Sequence, residues 1–374
     1  MITVEQVKTR RQMKQFVDYP NKLYANVPQY LPSVFSDSIN TANPRKNYAF
    51  NFCEAKFWLA KRDKKIVGRI AAIINHKANE KWHKNQLRFW NVDFIDDIEV
   101  SKALFDEVEE WAKQKACDEI VGPLGFTDLD LEGMLVDGFD EIGVFCTYYN
   151  HPYYIEHLKN LGFEKDVDWV EYKMEIPKNK EELYTLSRMA EFSKRVYKLH
   201  TVEYKFGQDF VSAVPDFTKL LNLSYDNLYS TSELSNEQGA DLFKNFKPVL
   251  NPKTSIWVYN ESDELVGFIA AIADISKALK KSNGKLFPFG WARILKAVKS
   301  SDEYIALLVG VRPDYQAKGV ICVLLDGLIE GFQTVGAKVC RICPMLENND
   351  NVLSLMNIIP SKPYKRRRSF IKKL

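Results

Sequence analysis

No stretch of this 374-residue chain approaches the roughly 20 consecutive apolar residues that a membrane-spanning helix needs. Its opening, Met1-Ile-Thr-Val-Glu-Gln-Val-Lys-Thr-Arg-Arg11, lacks the apolar centre of a secretion signal, so a cytoplasmic protein is expected. Neither sign of charge dominates. The net charge of +3 at pH 7 is too mild for a nucleic-acid partner, which would call for a concentrated basic face and a recognisable module. Six cysteines are too few for a disulfide framework in so long a chain and read as reduced, mostly buried thiols. Cys340 and Cys343 spell Cys-x-x-Cys, but inside the apolar strand pattern Val339–Pro344. No second pair and no nearby histidine completes a zinc site, so no metal is expected.

What is present is a repeat. Phe57–Ile74 and Ile256–Ile272 each read as strand, charged turn and strand, a hairpin signal. Their cores, Val67-Gly-Arg-Ile-Ala-Ala-Ile73 and Val266-Gly-Phe-Ile-Ala-Ala-Ile272, are 199 residues apart. A match of that length points to two copies of one fold in tandem. Helical patterns near 4–17, 102–115, 180–197 and 217–229 alternate with strands, giving a mixed α/β chain. The polar turn Ile176-Pro-Lys-Asn-Lys-Glu-Glu182 sets the expected domains at 1–177 and 178–374.

The second copy carries an anion site. An apolar strand, Ile305–Val311, ends at Arg312-Pro313. A polar loop with Gln316, Lys318 and Gly319 follows, and then an amphipathic helix. The first amides of a helix lack intrahelical partners, and its dipole favours negative charge there. The first copy has Asp96, Asp97 and Glu99 in the matching region. Carboxylates there would repel a diphosphate, so that copy is expected not to bind one.

The loop resembles the coenzyme A pyrophosphate loop of the GNAT acyltransferase superfamily, Val-x-Pro-x-x-(Gln/Arg)-x-x-Gly-x-(Gly/Ala). Val311, Pro313, Gln316 and Gly319 match, and Ile321 stands where Gly or Ala is usual. Further stretches resemble one bacterial family, that of bacterial ceramide synthases and YghO-type proteins. These are Phe16–Pro32, Cys53–Lys56, Val67–His76, Gly122–Phe139, Leu346–Asn349 and Lys365–Arg368. The resemblance implies tandem GNAT-like domains, α/β (α+β) in class, each a mixed, mostly antiparallel central sheet flanked by helices. It implies acyl-CoA as a substrate and an amine acceptor, a sphingoid base or similar lipid amine.

The resemblance lays pantetheine along Leu308, Val309 and Val311, with the diphosphate on Gln316, Ala317, Lys318, Gly319 and Val320 and with Asn349 capping the next helix or touching pantetheine. Glu347 is the first candidate for the general base, with Glu132 and Asp130 next; for the absent helix tyrosine, either Tyr364 or water stands in as acid, or the family does without one. The Gly- and Asp-rich stretch from Gly122 to Phe163 is expected at the acceptor, through Asp130, Tyr149, Asn150 and Tyr153. Two basic, aromatic segments, Leu279–Lys299 and Lys362–Leu374, suit peripheral contact with an anionic membrane, on its inner face. Three rival readings are a transferase for a small polar amine or amino acid, a Fem-type aminoacyl transferase, and a coenzyme A or lipid-binding module without catalysis.

Overall fold

The computed structural model describes residues 1–179, 183–205 and 211–374. The chain forms two compact units. Met1–Val170 joins Ser276–Arg293 and Tyr364–Leu374 in the first, and Glu171–Ile275 joins Ile294–Pro363 in the second. The switch of units near 170 precedes the polar turn at 176–182 by a few residues. Residues 180–182 of the expected helix lie outside the described residues.

The strands are β1 (Ile2–Gln6), β2 (Cys53–Arg62), β3 (Lys65–Asn75), β4 (Gln86–Phe94), β5 (Glu119–Gly122), β6 (Met134–Asp137), β7 (Glu164–Glu175), β8 (His200–Val202), β9 (Leu250–Tyr259), β10 (Leu265–Ala273), β11 (Glu303–Val311), β12 (Val339–Leu346) and β13 (Ser361–Lys373). In the first unit they lie in the order β1-β2-β3-β4-β5-β13, and β6 also pairs with β13. In the second the order is β12-β11-β10-β9-β8. Each sheet is mixed and mostly antiparallel, the parallel pairs being β4 with β5 and β11 with β12. The sheets are flanked by helices. Those labelled here are α1 (Arg10–Leu23), α2 (Phe35–Thr41), α3 (His76–Trp82), α4 (Ile98–Gln114), α5 (Tyr153–Asn160) and α6 (Tyr184–Val196). Among the described residues no helix is long and apolar enough to cross a membrane.

The repeat has a packing reason. Residues on a strand alternate between faces, and β3 is apolar on both: Ile70 and Ala72 join one core cluster, Ala71 and Ile73 another. Where a helix crosses the strand closely, only glycine fits. A Cβ on Gly68 would lie 2.8 Å from Leu104 of α4, and one on Gly267 would lie 2.5 Å from Val320 of the helix Val320–Val335.

The opening segment is fastened by a buried ion pair. Arg69 Nε donates to Asp93 Oδ2 at 2.7 Å and Arg69 Nη1 to Phe16 O at 2.9 Å. Tyr24 Oη donates to Asp93 Oδ1 at 2.8 Å, which binds the end of α1 to β4. The C-terminal basic run, expected to be free for a membrane, is instead taken up inside the first unit. Arg366 and Arg368 pair with Asp168, Lys372 with Glu109, and Lys365 and Arg367 are buried against the carbonyls of Ile142 and Tyr148.

Removing one member of a buried pair leaves the other uncompensated. Asp93→Ala is expected to destabilise the protein by about 3–5 kcal/mol in urea denaturation. The Arg69→Met/Asp93→Leu double variant should lose clearly less.

Candidate functional site

In the second unit two parallel strands part. The β11–β12 pairing runs from Glu303↔Val339 to Ala306↔Ile342 and stops, although β11 continues to Val311 and β12 to Leu346. On the other side β11 stays bonded to β10, with Gly310 opposite Phe268 and Val311 opposite Gly267. Arg312 N–H donates to Val266 O at 2.9 Å. Backbone groups alternate in direction along a strand, so Leu308 and Gly310 turn toward β10 while Val309 and Val311 turn toward the opening. Their carbonyls there accept from Tyr225 Oη (3.1 Å, to Val309 O) and Ser224 Oγ (3.2 Å, to Val311 O).

The strand leads into a turn over Pro313–Lys318 and then Gly319, whose φ of +68° heads the helix Val320–Val335. A Cβ at Gly319 would lie 2.2 Å from Ser193 Oγ on α6. Conformation and close approach both require glycine here. Cys322 N–H already bonds Gly319 O, which leaves the amides just before it at the helix head facing outward. Arg312 is paired with Asp314 and Glu264, so the loop's acid is neutralised. Lys318 stands with its ammonium 4.0 Å from the Tyr315 ring centre. Gln316 and Ala317 are exposed. Ile321, the departure from the loop pattern, packs against the core cluster.

The first unit repeats this layout and fills it. The β4–β5 pairing ends at Arg88↔Val121 while β4 continues to Phe94. Phe94 lies opposite Gly68 as Val311 lies opposite Gly267. Phe94 N–H, however, donates to Tyr154 Oη at 2.9 Å, and Phe94 O accepts from Tyr153 Oη at 2.6 Å. Asn91 N–H donates to Tyr148 Oη at 3.3 Å. At the head of α4 the Asp97 carboxylate accepts from Glu99 N–H at 2.9 Å and pairs with Arg62. Both units cap strand carbonyls with their own hydroxyls, but in the first unit tyrosine hydroxyls also take the Asn91 and Phe94 amides, and a carboxylate takes the helix head.

The loop after β5 gathers three carboxylates. Asn75 Nδ2 donates to Phe126 O at 2.8 Å, Arg88 Nη1 to Gly125 O at 3.1 Å and Trp90 Nε1 to Leu131 O at 3.1 Å, which pins the loop from β3 and β4. Asp128, Asp130 and Glu132 sit on it partly exposed. Burial raises the Asp130 carboxyl to about 6, against the pull of the Thr127 and Phe126 amides. It also raises Asp128, and it holds Glu132 well above the ordinary carboxylate range, with Asp128 and Asp130 adding to the shift and Arg88 opposing it.

The other expected site residues fall as follows. Glu347 is half-buried just past β12, and Asn349 caps the helix Asp350–Leu353, accepting from Val352 N–H at 3.4 Å. Tyr364 lies on β13 in the first unit. Tyr149 is half-buried, edge-on to Tyr24 with ring centres 5.4 Å apart. Asn150 accepts from Leu135 N–H at 2.7 Å and donates to Leu135 O at 3.1 Å, which holds the loop. Tyr153 is likewise committed to Phe94 O. Sequence reasoning missed Ser224 and Tyr225. They end the helix Val214–Tyr225, and nothing local in their sequence marks them.

The fold defines a class. A tandem GNAT protein from the clavulanic acid biosynthesis pathway shares it with a TM-score of 0.58 at 9% identity, over 100% of this chain and 98% of that one. A GCN5-related N-acetyltransferase from Sphaerobacter thermophilus gives 0.52 at 9% identity, over 100% and 95%. The chain has a tandem GNAT-like fold. In sequence it is similar to Protein YghO of Escherichia coli (strain K12), 26% identical over 98% of this chain and 94% of that protein. It is also similar to Bacterial ceramide synthase of Caulobacter vibrioides, 25% identical over 84% and 82%. No family model matches the chain.

The acid cluster has a pH signature. Asp130 has a folded value near 6 and an ordinary value of 3.8, so the native state binds more protons than the unfolded state between about 4 and 6. This group therefore makes stability fall as pH rises through that window, by about 1.4 kcal/mol per unit of separation. Asp130→Asn should flatten the fall in urea melts from pH 3.5 to 8; an unchanged slope would contradict the assignment.

Proposed function

We propose that the chain is an acyl-CoA-dependent N-acyltransferase whose second copy holds the acyl donor and whose first copy shapes the acceptor site. The observation that carries this reading is the parting of β11 from β12 directly before the left-handed Gly319. Pantetheine would run along Leu308–Val311, and the diphosphate would meet the amides of Gly319 and Val320 beside Gln316, Ala317 and Lys318. Because Ile321 packs into the core, its bulk leaves the anion space open. That supports a working site over an inert binding module.

In this reading the thioester oxygen is polarised by a backbone N–H of Val309 or Val311. Donors fixed in place before reaction need no reorganisation as charge develops on that oxygen. The neutral amine attacks the carbonyl carbon, the C–S bond breaks, the amine gives up a proton to a carboxylate, and the sulfur leaves as a thiol. Glu347, just past β12, is the first choice for that base. Glu132 and Asp130 follow, since a raised carboxyl value suits proton exchange near neutrality. The proton on the sulfur comes from water or from Tyr364, the two candidate acids. Asp128, Asp130 and Glu132 would also draw an ammonium head into the first copy, with Tyr149 beside it.

The similarity to Bacterial ceramide synthase supports a sphingoid base as the acceptor. The rival acceptor, a small polar amine, is separated by assay. Incubation with sphinganine and palmitoyl-CoA should release free thiol, whereas release only from acetyl-CoA with small amines would replace the lipid reading. Of the candidate bases, the one whose Gln variant loses about 10²–10⁴ in kcat at unchanged KM for acyl-CoA is the base. Gly319→Val should weaken coenzyme A binding more than tenfold in calorimetry, because it adds a left-handed strain to a clash with Ser193. Unchanged affinity would refute the site.

A further inference from the structure

We infer that the first unit carries a docking surface for an anionic phospholipid bilayer, built by α1 together with the segment Ser276–Arg293. The inference stands on surface residues alone and holds whether or not the chain transfers acyl groups.

An open recess of about 490 Å³ is lined by Arg10, Arg11, Lys14, Gln15, Asp18, Lys22, Phe35 and Lys285. Five of the eight lining residues are cations, and Asp18, the one carboxylate among them, pairs with Lys22 at 3.3 Å. Among the described residues, Arg10, Arg11, Lys14 and Lys285 have no carboxylate partner. Arg10 and Arg11 begin α1, whose first turn holds no acid. Cations at a helix N-terminus oppose its dipole, so the sequence accepts a local cost that a bound anion would relieve. A lone run of surface lysines would not have that feature.

The stretch that supplies Lys285 also carries an apolar counterpart. Phe287, Phe289 and Trp291 are 80%, 68% and 49% exposed, in the same stretch that supplies Lys285. Trp291 Nε1–H donates to Pro288 O at 3.0 Å, so its polar atom is satisfied and the rest of the ring can enter hydrocarbon. The stretch is held against the recess: Phe35 N–H donates to Gly284 O at 3.0 Å, and Lys280 reaches Pro28 O. A Cβ on Gly284 would meet Ser33 O at 2.0 Å. Unpaired cations next to fixed, exposed aromatic rings match the two layers of a bilayer surface, phosphate outside and acyl chain within. A soluble polyanion would use the cations and leave the rings without a role.

The test is flotation of the full chain with vesicles of phosphatidylcholine alone and with 30 mol% phosphatidylglycerol. Binding is expected only to the second kind. It should fall at least tenfold in Arg11→Glu/Lys14→Glu, and separately in Phe287→Ser/Phe289→Ser, each variant first checked for an unchanged melting curve. A charge-matched Lys219→Glu/Lys244→Glu variant, at two exposed positions outside the recess and its stretch, controls for net charge and should retain most of the binding. Equal binding to both vesicles, no binding to either, or unchanged binding in the recess and ring variants would overturn the proposal. So would tripolyphosphate binding at the recess without vesicle binding, which would make it a site for soluble polyanions.

Discussion

The functional reading depends on a pairing that stops. Two parallel strands keep their ladder for four residue pairs, Glu303↔Val339 to Ala306↔Ile342, and then diverge. Backbone N–H and C=O groups must find partners; at the opening, the carbonyls of Val309 and Val311 find the hydroxyls of Tyr225 and Ser224. The amides of the same two residues face the same side, aimed where an extended amide-bearing ligand would lie. The strand's other edge is fixed by β10, and its end runs into a glycine-headed helix. Backbone donors thus follow one another along a single stretch of chain, in the order that the proposed contacts to pantetheine, thioester and diphosphate require.

The first copy shows how little is needed to close such a groove. Its strands part in the same manner, yet Tyr148, Tyr153 and Tyr154 bring hydroxyls to Asn91 and Phe94, and Asp97 caps α4. The side chains that fill the groove come from the same segment that holds the loop of Asp128, Asp130 and Glu132. Under the proposed function, this filled copy shapes recognition of the acceptor. We read the division of labour between the copies in those terms.

Much of this was legible in the sequence where a residue type is physically compelled. The repeat with Gly68 and Gly267 and the loop with Gly319 were readable as text; the helices that press on the first two and the left-handed turn at the third give the physical reason for glycine there. Asp97 and Glu99 likewise announce a helix head unsuited to a diphosphate. Tertiary partners were not legible. The sequence does not show that Asn150 and Tyr153 hold backbone groups of their own unit, Leu135 and Phe94. The run Arg366–Arg368 looked solvated because its counter-ion, Asp168, is nearly two hundred residues away in sequence. Ser224 and Tyr225 belong to a helix with no motif, and only the position of its last turn gives them a role.

The most direct measurement is a crystal structure of the protein with coenzyme A bound. The account predicts the diphosphate against the amides of Gly319 and Val320 and pantetheine hydrogen-bonded to Val309 and Val311, with the first copy's groove still filled by its tyrosines. Coenzyme A seated along β4, or the amides of Val309 and Val311 bonded to the chain's own side chains in place of pantetheine, would contradict it.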